Sequence, residues 1–189
     1  AVKNEEIEAP VEEAIRENLV EVAPKAGKIK KVTTNEELGT TEWTLSNGVR
    51  VVIKPTEFKQ DEILFSAFSK GGQSLVATED LVSAALATDV VSVSGIADMT
   101  MTDLQKALTG KNVSCSPSIN ANTESIDGGS TVKDLETLLQ LNYLYFTAPR
   151  RDEDAYAMLM SILESQLANR DKNPKSAVSD SVQMMSSNN

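Results

Sequence analysis

The pattern of apolar and polar positions is clearest between residues 43 and 54, where it predicts a β-hairpin. Asn47-Gly48 is a strong turn signal, because both central positions of a two-residue hairpin turn need a positive φ. The run at 49–54 is β-branched and continuous, which is typical of a strand buried on at least one face. Upstream, lysines alternate with apolar residues over 28–34, which predicts a charge-protected edge strand.

A third strand and a helix follow this hairpin. Residues 63–68 predict a strand that ends at Gly71-Gly72, where the backbone can turn without a Cβ clash. We expect Thr78 to cap a helix over 78–93, whose first turn is acidic and suits the helix dipole. The many small side chains of this helix predict close packing on a sheet.

The middle of the chain predicts a short helix and two antiparallel strands. Thr100 and Asp103 are spaced for reciprocal capping of a helix at 104–108. Strands are expected at 113–119 and 124–131, joined by a turn rich in asparagine. Late in the second of these strands stands a glycine pair, Gly128-Gly129. Because no G-K-[ST] and no G-x-G-x-x-G accompanies the pair, we expect a bulge or a close backbone approach rather than a phosphate cradle.

Three helical patterns complete the chain, over 132–146, about 152–170 and 175–185. The first two predict an antiparallel helical pair that covers the sheet. On the second helix, the residues expected to face inward are Tyr156, Leu159, Met160, Leu163 and Leu167. The whole pattern predicts an α+β fold, with an antiparallel sheet and helices packed on one face.

Composition restricts the chemistry that the chain can perform. It has no histidine, which removes histidine metal sites and Ser-His-Asp or Cys-His catalysis. Its single cysteine, Cys115, cannot form an internal disulfide and is interpreted as a small core residue. A net charge of −10 argues against nucleic acid or an anionic membrane as a partner. No bilayer-spanning apolar run and no signal peptide is recognisable.

Several phrases of the sequence resemble a known family. The order strand, Asn-Gly turn, strand, strand, Gly-Gly, helix is carried by NGVRVVIKPT and ILFSAFSKGGQS, and the later helical pair by LLQLNYLYFTAPRRD. These phrases resemble a domain from the second, non-catalytic half of pitrilysin and mitochondrial-processing-peptidase-like proteins, the inverzincin zinc metallopeptidases. The resemblance implies the LuxS and processing-peptidase-like metallohydrolase fold, here expected to be truncated.

The resemblance also shows where catalytic residues would stand. In catalytic halves the helix after the glycine pair carries H-x-x-E-H, in which two histidines bind zinc and the glutamate is the general base. That motif would fall at about 85–90, which reads Ala-Leu-Ala-Thr-Asp-Val. Glu164 lies near the position of the third ligand and is interpreted as a solvated helix residue. We therefore predict no catalytic, cofactor-binding or metal-binding residue here, and expect zinc in the catalytic half of a parent protein.

The N-terminal part differs in composition from the rest. Residues 1–39 are predicted to form an acidic linker or hinge arm with a helix, and 40–189 the inactive peptidase-like domain. The arm is either a helix docked through a thin apolar stripe or a partly solvated linker, and the sequence leaves both open. The stripe consists of Val11, Ile15, Leu19 and Val22.

The function implied by the resemblance is structural. The chain would form part of the wall of a chamber in which a zinc metalloendopeptidase cleaves peptides. Its expected partners are the catalytic half of the parent and a peptide substrate, with no nucleic acid and no membrane insertion. The family suggests a periplasmic or cell-envelope location. The alternative is a non-catalytic assembly subunit or a stand-alone interaction protein, with no peptidase partner in the same chain.

Overall fold

A computed structural model describes Arg16, residues 18–170 and residues 172–187. In this part of the chain, the strands and helices follow one another in the predicted order. The strands are β1 (Ile29–Asn35), β2 (Thr40–Leu45), β3 (Arg50–Ile53), β4 (Ile63–Lys70), β5 (Val113–Ile119) and β6 (Thr123–Ser130). The helices are α1 (Leu81–Ser94), α2 (Met101–Ala107), α3 (Leu135–Thr147), α4 (Glu153–Arg170) and α5 (Pro174–Ser187). Within the described residues, no helix combines the length and the apolar character needed to cross a membrane.

The strands are antiparallel, and they form two three-stranded sheets. The first has the order β1-β2-β3, and the second has the order β4-β6-β5, with β6 in the centre. The α+β class and the antiparallel pairing are therefore confirmed, although we expected one sheet rather than two. The connection from β3 to β4, residues 54–62, is exposed throughout. Because that connection buries no apolar side chain, it does not draw β3 and β4 into one ladder.

The hairpin between β2 and β3 is confirmed, but its turn differs from the predicted one. The Leu45 N–H donates to the Val49 carbonyl at 2.8 Å, and the Gly48 N–H donates to the Leu45 carbonyl at 3.0 Å. Gly48 has a φ of +90°, whereas Asn47 has no positive φ. Instead, the Asn47 side-chain oxygen accepts from the Val49 N–H at 3.2 Å. A three-residue loop with one left-handed glycine thus replaces the two-residue turn.

The ends of α1 and α2 show which capping predictions hold. Thr78 lies inside a 3-10 turn, Thr78–Asp80, and makes no side-chain cap bond, so its predicted capping role is wrong. The hydrogen bonds of a 3-10 turn join residues i and i+3, so its backbone is wound more tightly than an α-helix. The α-helical part, α1, therefore begins only at Leu81. The predicted reciprocal cap is confirmed, because Thr100 and Asp103 form a capping box at the start of α2. The helix consequently begins at Met101, earlier than the apolar pattern indicated.

The core lies between the second sheet and the helices. Both α1 and α3 contact β5, and α3 also contacts β6, so these helices cover one face of the sheet as predicted. In contrast, α4 packs on α1 and does not cover the sheet together with α3. Because α4 packs on α1 along one side, only a narrow stripe of α4 is shielded. Leu159, Met160 and Leu163 are half-buried, whereas Tyr156 and Leu167 are exposed, contrary to the prediction.

The opposite face of the second sheet is open. Strand alternation places Leu64, Ser66 and Phe68 of β4 on this face, opposite Gly129, Asp127 and Ser125 of β6 respectively. Leu64 is 82% exposed and Phe68 is 75% exposed. Between them, the Ser66 hydroxyl donates to the Asp127 carboxylate at 2.7 Å. We refer to the surface formed by these three β4 residues and Asp127 as the open face.

Candidate functional site

The stretch at which the resemblance would place a zinc motif lies in the middle of α1. Within 85–90, Ala85 and Asp89 are exposed and the other residues are half-buried. The stretch contains one carboxylate and, like the whole chain, no histidine. Among the residues described, no group of three or more His, Cys, Asp or Glu could hold a metal ion. The donor set therefore does not fit a histidine-based inverzincin zinc site.

The resemblance would place the third zinc ligand, a glutamate, on α4. This helix packs on α1. Glu164 is exposed on α4. The sequence has no histidine, so α1 and α4 do not supply the two histidines that a zinc site of this class needs.

Cys115 is half-buried on β5, where it pairs in register with Gly128 of β6. Burial raises the pKa of its thiol to about 11. At neutral pH the side chain is therefore a protonated thiol, and the thiolate that nucleophilic chemistry requires is scarce. Its surroundings fit the predicted role of a small core residue.

The glycine pair in β6 permits close contact between strands. A Cβ added to Gly128 would lie 2.1 Å from the Ser114 carbonyl oxygen, and one added to Gly129 would lie 2.9 Å from the Ile63 carbonyl oxygen. The pairing register of β6 is continuous with both β4 and β5 at these positions. Of the two predicted alternatives, the close backbone approach is confirmed and the bulge is not seen.

A compact turn, Gly72–Leu75, follows β4 and is bonded to Glu124 of β6. The Gly72 N–H donates to one carboxylate oxygen of Glu124, and the Ser69 hydroxyl donates to the other at 2.9 Å. These two bonds, that from Gly72 first, hold the pKa of Glu124 below its ordinary value. The turn is also joined to the β5–β6 turn, because the Gln73 N–H donates to the Asn120 carbonyl at 2.9 Å. The sequence indicated the glycines, but no local pattern indicated Glu124 as their partner.

Arg16 and Leu19 are among the residues through which the described part of the N-terminal arm docks on the body of the protein. Arg16 makes a two-pronged ion pair with Asp98, with nitrogen–oxygen distances of 2.9 and 2.6 Å. Leu19 is 4% exposed in the main core, and its N–H donates to the Gln140 side-chain oxygen at 2.8 Å. The predicted stripe did include Leu19, but Val22 is 81% exposed.

The arm's predicted helix falls mainly on residues outside the described part. Val11 and Ile15 belong to the undescribed stretch at 1–15, and residues 18–28 form no helix. Further along, β1 lies within the 1–39 segment that the sequence assigned to the arm. The predicted edge strand at 28–34 is thus confirmed as β1.

The order β4, α1, α2, β5, β6, α3, α4, with helices on one face of an antiparallel sheet, is the fold of part of the pitrilysin-like zinc proteases. The periplasmic protease PqqL from Escherichia coli matches with a TM-score of 0.74 at 22% identity, over 91% of this chain and 19% of that one. The ferredoxin protease FusC, solved as a mutant in complex with Arabidopsis ferredoxin, matches with a TM-score of 0.72 at 25% identity. That match covers 94% of this chain and 20% of FusC.

The sequence is also similar to that of a curated protein. It is 28% identical over 179 residues to "Zinc protease PQQL-like" from Arabidopsis thaliana. The alignment covers 94% of this chain and 16% of that protein, so the chain spans about one sixth of the relative's length. The chain matches no protein-family model. These similarities confirm the resemblance to pitrilysin-like zinc metallopeptidases, of which the chain corresponds to a part.

Proposed function

We propose that this chain is a non-catalytic, structural domain of a zinc metalloendopeptidase, and that it forms part of the wall around a peptide substrate. One combination of observations carries the proposal. Nearly the whole chain aligns with a zinc protease, yet the helix at the motif position has no histidine. Zinc and the general base would then reside in the catalytic half of the parent, where the metal would polarise the scissile carbonyl.

Exposed apolar surfaces support a role within a larger protein. The open face presents Leu64 and Phe68 to solvent, and α5 presents Val178, Val182 and Met185 at helical spacing, at 64%, 60% and 84% exposure. Large apolar residues grouped on a surface mark contact sites. We assign the open face to contact with the catalytic half or the enclosed peptide, and the α5 stripe to other parts of the parent.

The proposal includes partners and a location. The partners are the catalytic half of the parent and a peptide substrate, and the net charge of −10 supports the exclusion of nucleic acid. Because one structural match is a periplasmic protease, we propose a periplasmic or cell-envelope location for the parent. Cell fractionation of the parent protein tests this location, and recovery in the cytosolic fraction alone would contradict it.

The function is tested by measuring zinc content and peptide cleavage in three preparations. These are the present chain, the catalytic half of the parent, and the two together. We expect no stoichiometric zinc and no cleavage for the chain alone, and faster cleavage when it is added to the catalytic half. A chain with Leu64→Ser and Phe68→Ser should stimulate peptide cleavage less than the original chain does. Val52→Ser is the matched control, because Val52 is 57% exposed on β3, in the other sheet.

Two outcomes would contradict the proposal. About one tightly bound zinc per chain would show that a metal site exists without histidine. Equal cleavage rates with and without the chain would show that the chain has no structural role in the peptidase. If the parent reading frame also held no H-x-x-E-H, the chain would be better explained as an assembly subunit or interaction protein.

A further inference from the structure

Arg16 of the docked arm contacts a tight turn between α1 and α2, which is formed by residues 95–99. Ile96 is fully buried at its centre, and its N–H and carbonyl both bond to Met99, at 3.0 and 2.9 Å. Ala97 has a positive φ of +53°, which L-residues rarely adopt without support from their surroundings. That support includes a bond from the Ala97 N–H to the Ala148 carbonyl at 2.9 Å. The turn is therefore held in one conformation by several neighbours.

Asp98 on this turn is held from two directions. Its carboxylate receives Arg16 of the arm, while its main-chain carbonyl accepts from Arg150 at 3.5 Å. Arg150 also pairs with Asp152 at 3.0 Å, just before α4. The side chain of Arg150 is only 27% exposed, so its position is strongly constrained by these contacts. Asp98 thereby connects the arm to the beginning of α4.

Asp152 carries the connection into α4 itself. Its carboxylate accepts the Ala155 N–H at 3.0 Å, which satisfies one of the free amides in the first turn of the helix. Its own N–H donates to the Ser94 hydroxyl at 3.2 Å, at the end of α1. Ser94 is 1% exposed. The arm, the 95–99 turn, the end of α1 and the start of α4 thus form one continuous hydrogen-bonded network.

We propose that this network is a conformational relay, in which release of the arm from Asp98 loosens the first turn of α4. Arg16 acts as the latch of the relay and Leu19 as its anchor. The relay goes beyond the structural function proposed above, since it concerns how the position of the arm is communicated within this chain. Through it, movement of the polypeptide at the arm reaches α4 and its neighbour α1.

Amide hydrogen exchange on the full chain tests the relay at two reporters. The Leu19 amide, bonded to Gln140, reports on arm docking, and the Ala155 amide reports on the first turn of α4. Arg16→Gln should speed exchange at both reporters about two- to fivefold, the range expected for one exposed ion pair. Asp98→Asn should act in the same direction while keeping the carbonyl that Arg150 contacts.

The control is Arg50→Gln, which removes another exposed two-pronged ion pair, with Glu42 in the first sheet. This variant makes the same charge change and should leave both reporters as in the original chain. Faster exchange at Leu19 with unchanged exchange at Ala155 would overturn the relay. If Arg16→Gln left exchange unchanged at both reporters, or if Arg50→Gln had an equal effect, the role of Arg16 as the latch would be refuted.

Discussion

Replacing Gly72 with alanine tests the packing of the turn that follows β4. Gly72 has a φ of +58°, and an added Cβ would lie 2.2 Å from the Asn120 carbonyl oxygen and 2.7 Å from the Thr123 main chain. The left-handed conformation costs an L-residue roughly 1–2 kcal/mol. Forcing a methyl group into a filled site costs about 1–3 kcal/mol more. We therefore expect Gly72→Ala to lower the free energy of unfolding by about 3 kcal/mol.

The matched control is Gly110→Ala. Gly110 has a φ of +79°, but an added Cβ would meet no atom within 4 Å. This variant carries the conformational cost alone, and the less flexible unfolded chain offsets part of it. We expect a loss of roughly 1 kcal/mol. The difference between the two variants isolates the steric conflict with the β5–β6 turn.

Thermal unfolding followed by far-ultraviolet circular dichroism measures both effects. In a chain of this size, 1 kcal/mol corresponds to a shift of about 2–4 °C in Tm. We therefore expect a drop of about 2–4 °C for Gly110→Ala and of about 6–12 °C for Gly72→Ala. If the two variants lost the same stability, the close approach of this turn to the β5–β6 turn would not be what requires glycine.

Three further predictions concern single groups. Thr100→Ala removes half of the capping box with Asp103 and should lower the free energy of unfolding by about 1 kcal/mol in urea titrations; no change would show that the cap is dispensable. The folded-state pKa of Glu124 lies below its ordinary value of 4.5, so its contribution is present above that pH and is lost as the pH falls through the folded pKa. Stability curves of Glu124→Gln should accordingly be less acid-sensitive below about pH 4.5, and parallel curves would contradict this. Cys115 should alkylate much more slowly in the folded chain than in urea at pH 8, because burial raises its pKa to about 11; equal rates would refute its burial.

Local patterns predicted the individual elements well. Strand β5 runs from Val113 to Ile119, as its alternation indicated, and the β1 edge strand and the capping box of α2 were also expected. In each case the information lies within a few neighbouring residues. Turn details were less accessible, since Asn47-Gly48 adopts a three-residue loop and Thr78 enters a 3-10 turn, both of which depend on how the flanking chain continues.

Contacts between distant segments were not predictable from local pattern. Arg16 and Asp98 are 82 positions apart, and Leu19 and Gln140 are 121 apart. Nothing in the spacing of one segment specifies the other, so the docked arm was found only in three dimensions. The division into two sheets has the same origin, because it depends on whether β3 and β4 meet. In contrast, the missing histidines of a zinc motif are a property of the sequence itself.

The division into two sheets also implies an order of folding. In the first sheet, each strand pairs with the next along the chain, so its loops are short and their closure restricts few residues. In the second sheet, pairs such as Ser66 of β4 and Asp127 of β6 join positions 61 residues apart. Such non-local pairing is slow, since a long loop must close before its contacts form. The first sheet can thus form early, whereas the face that carries Leu64 and Phe68 is completed only when β6 arrives between β4 and β5.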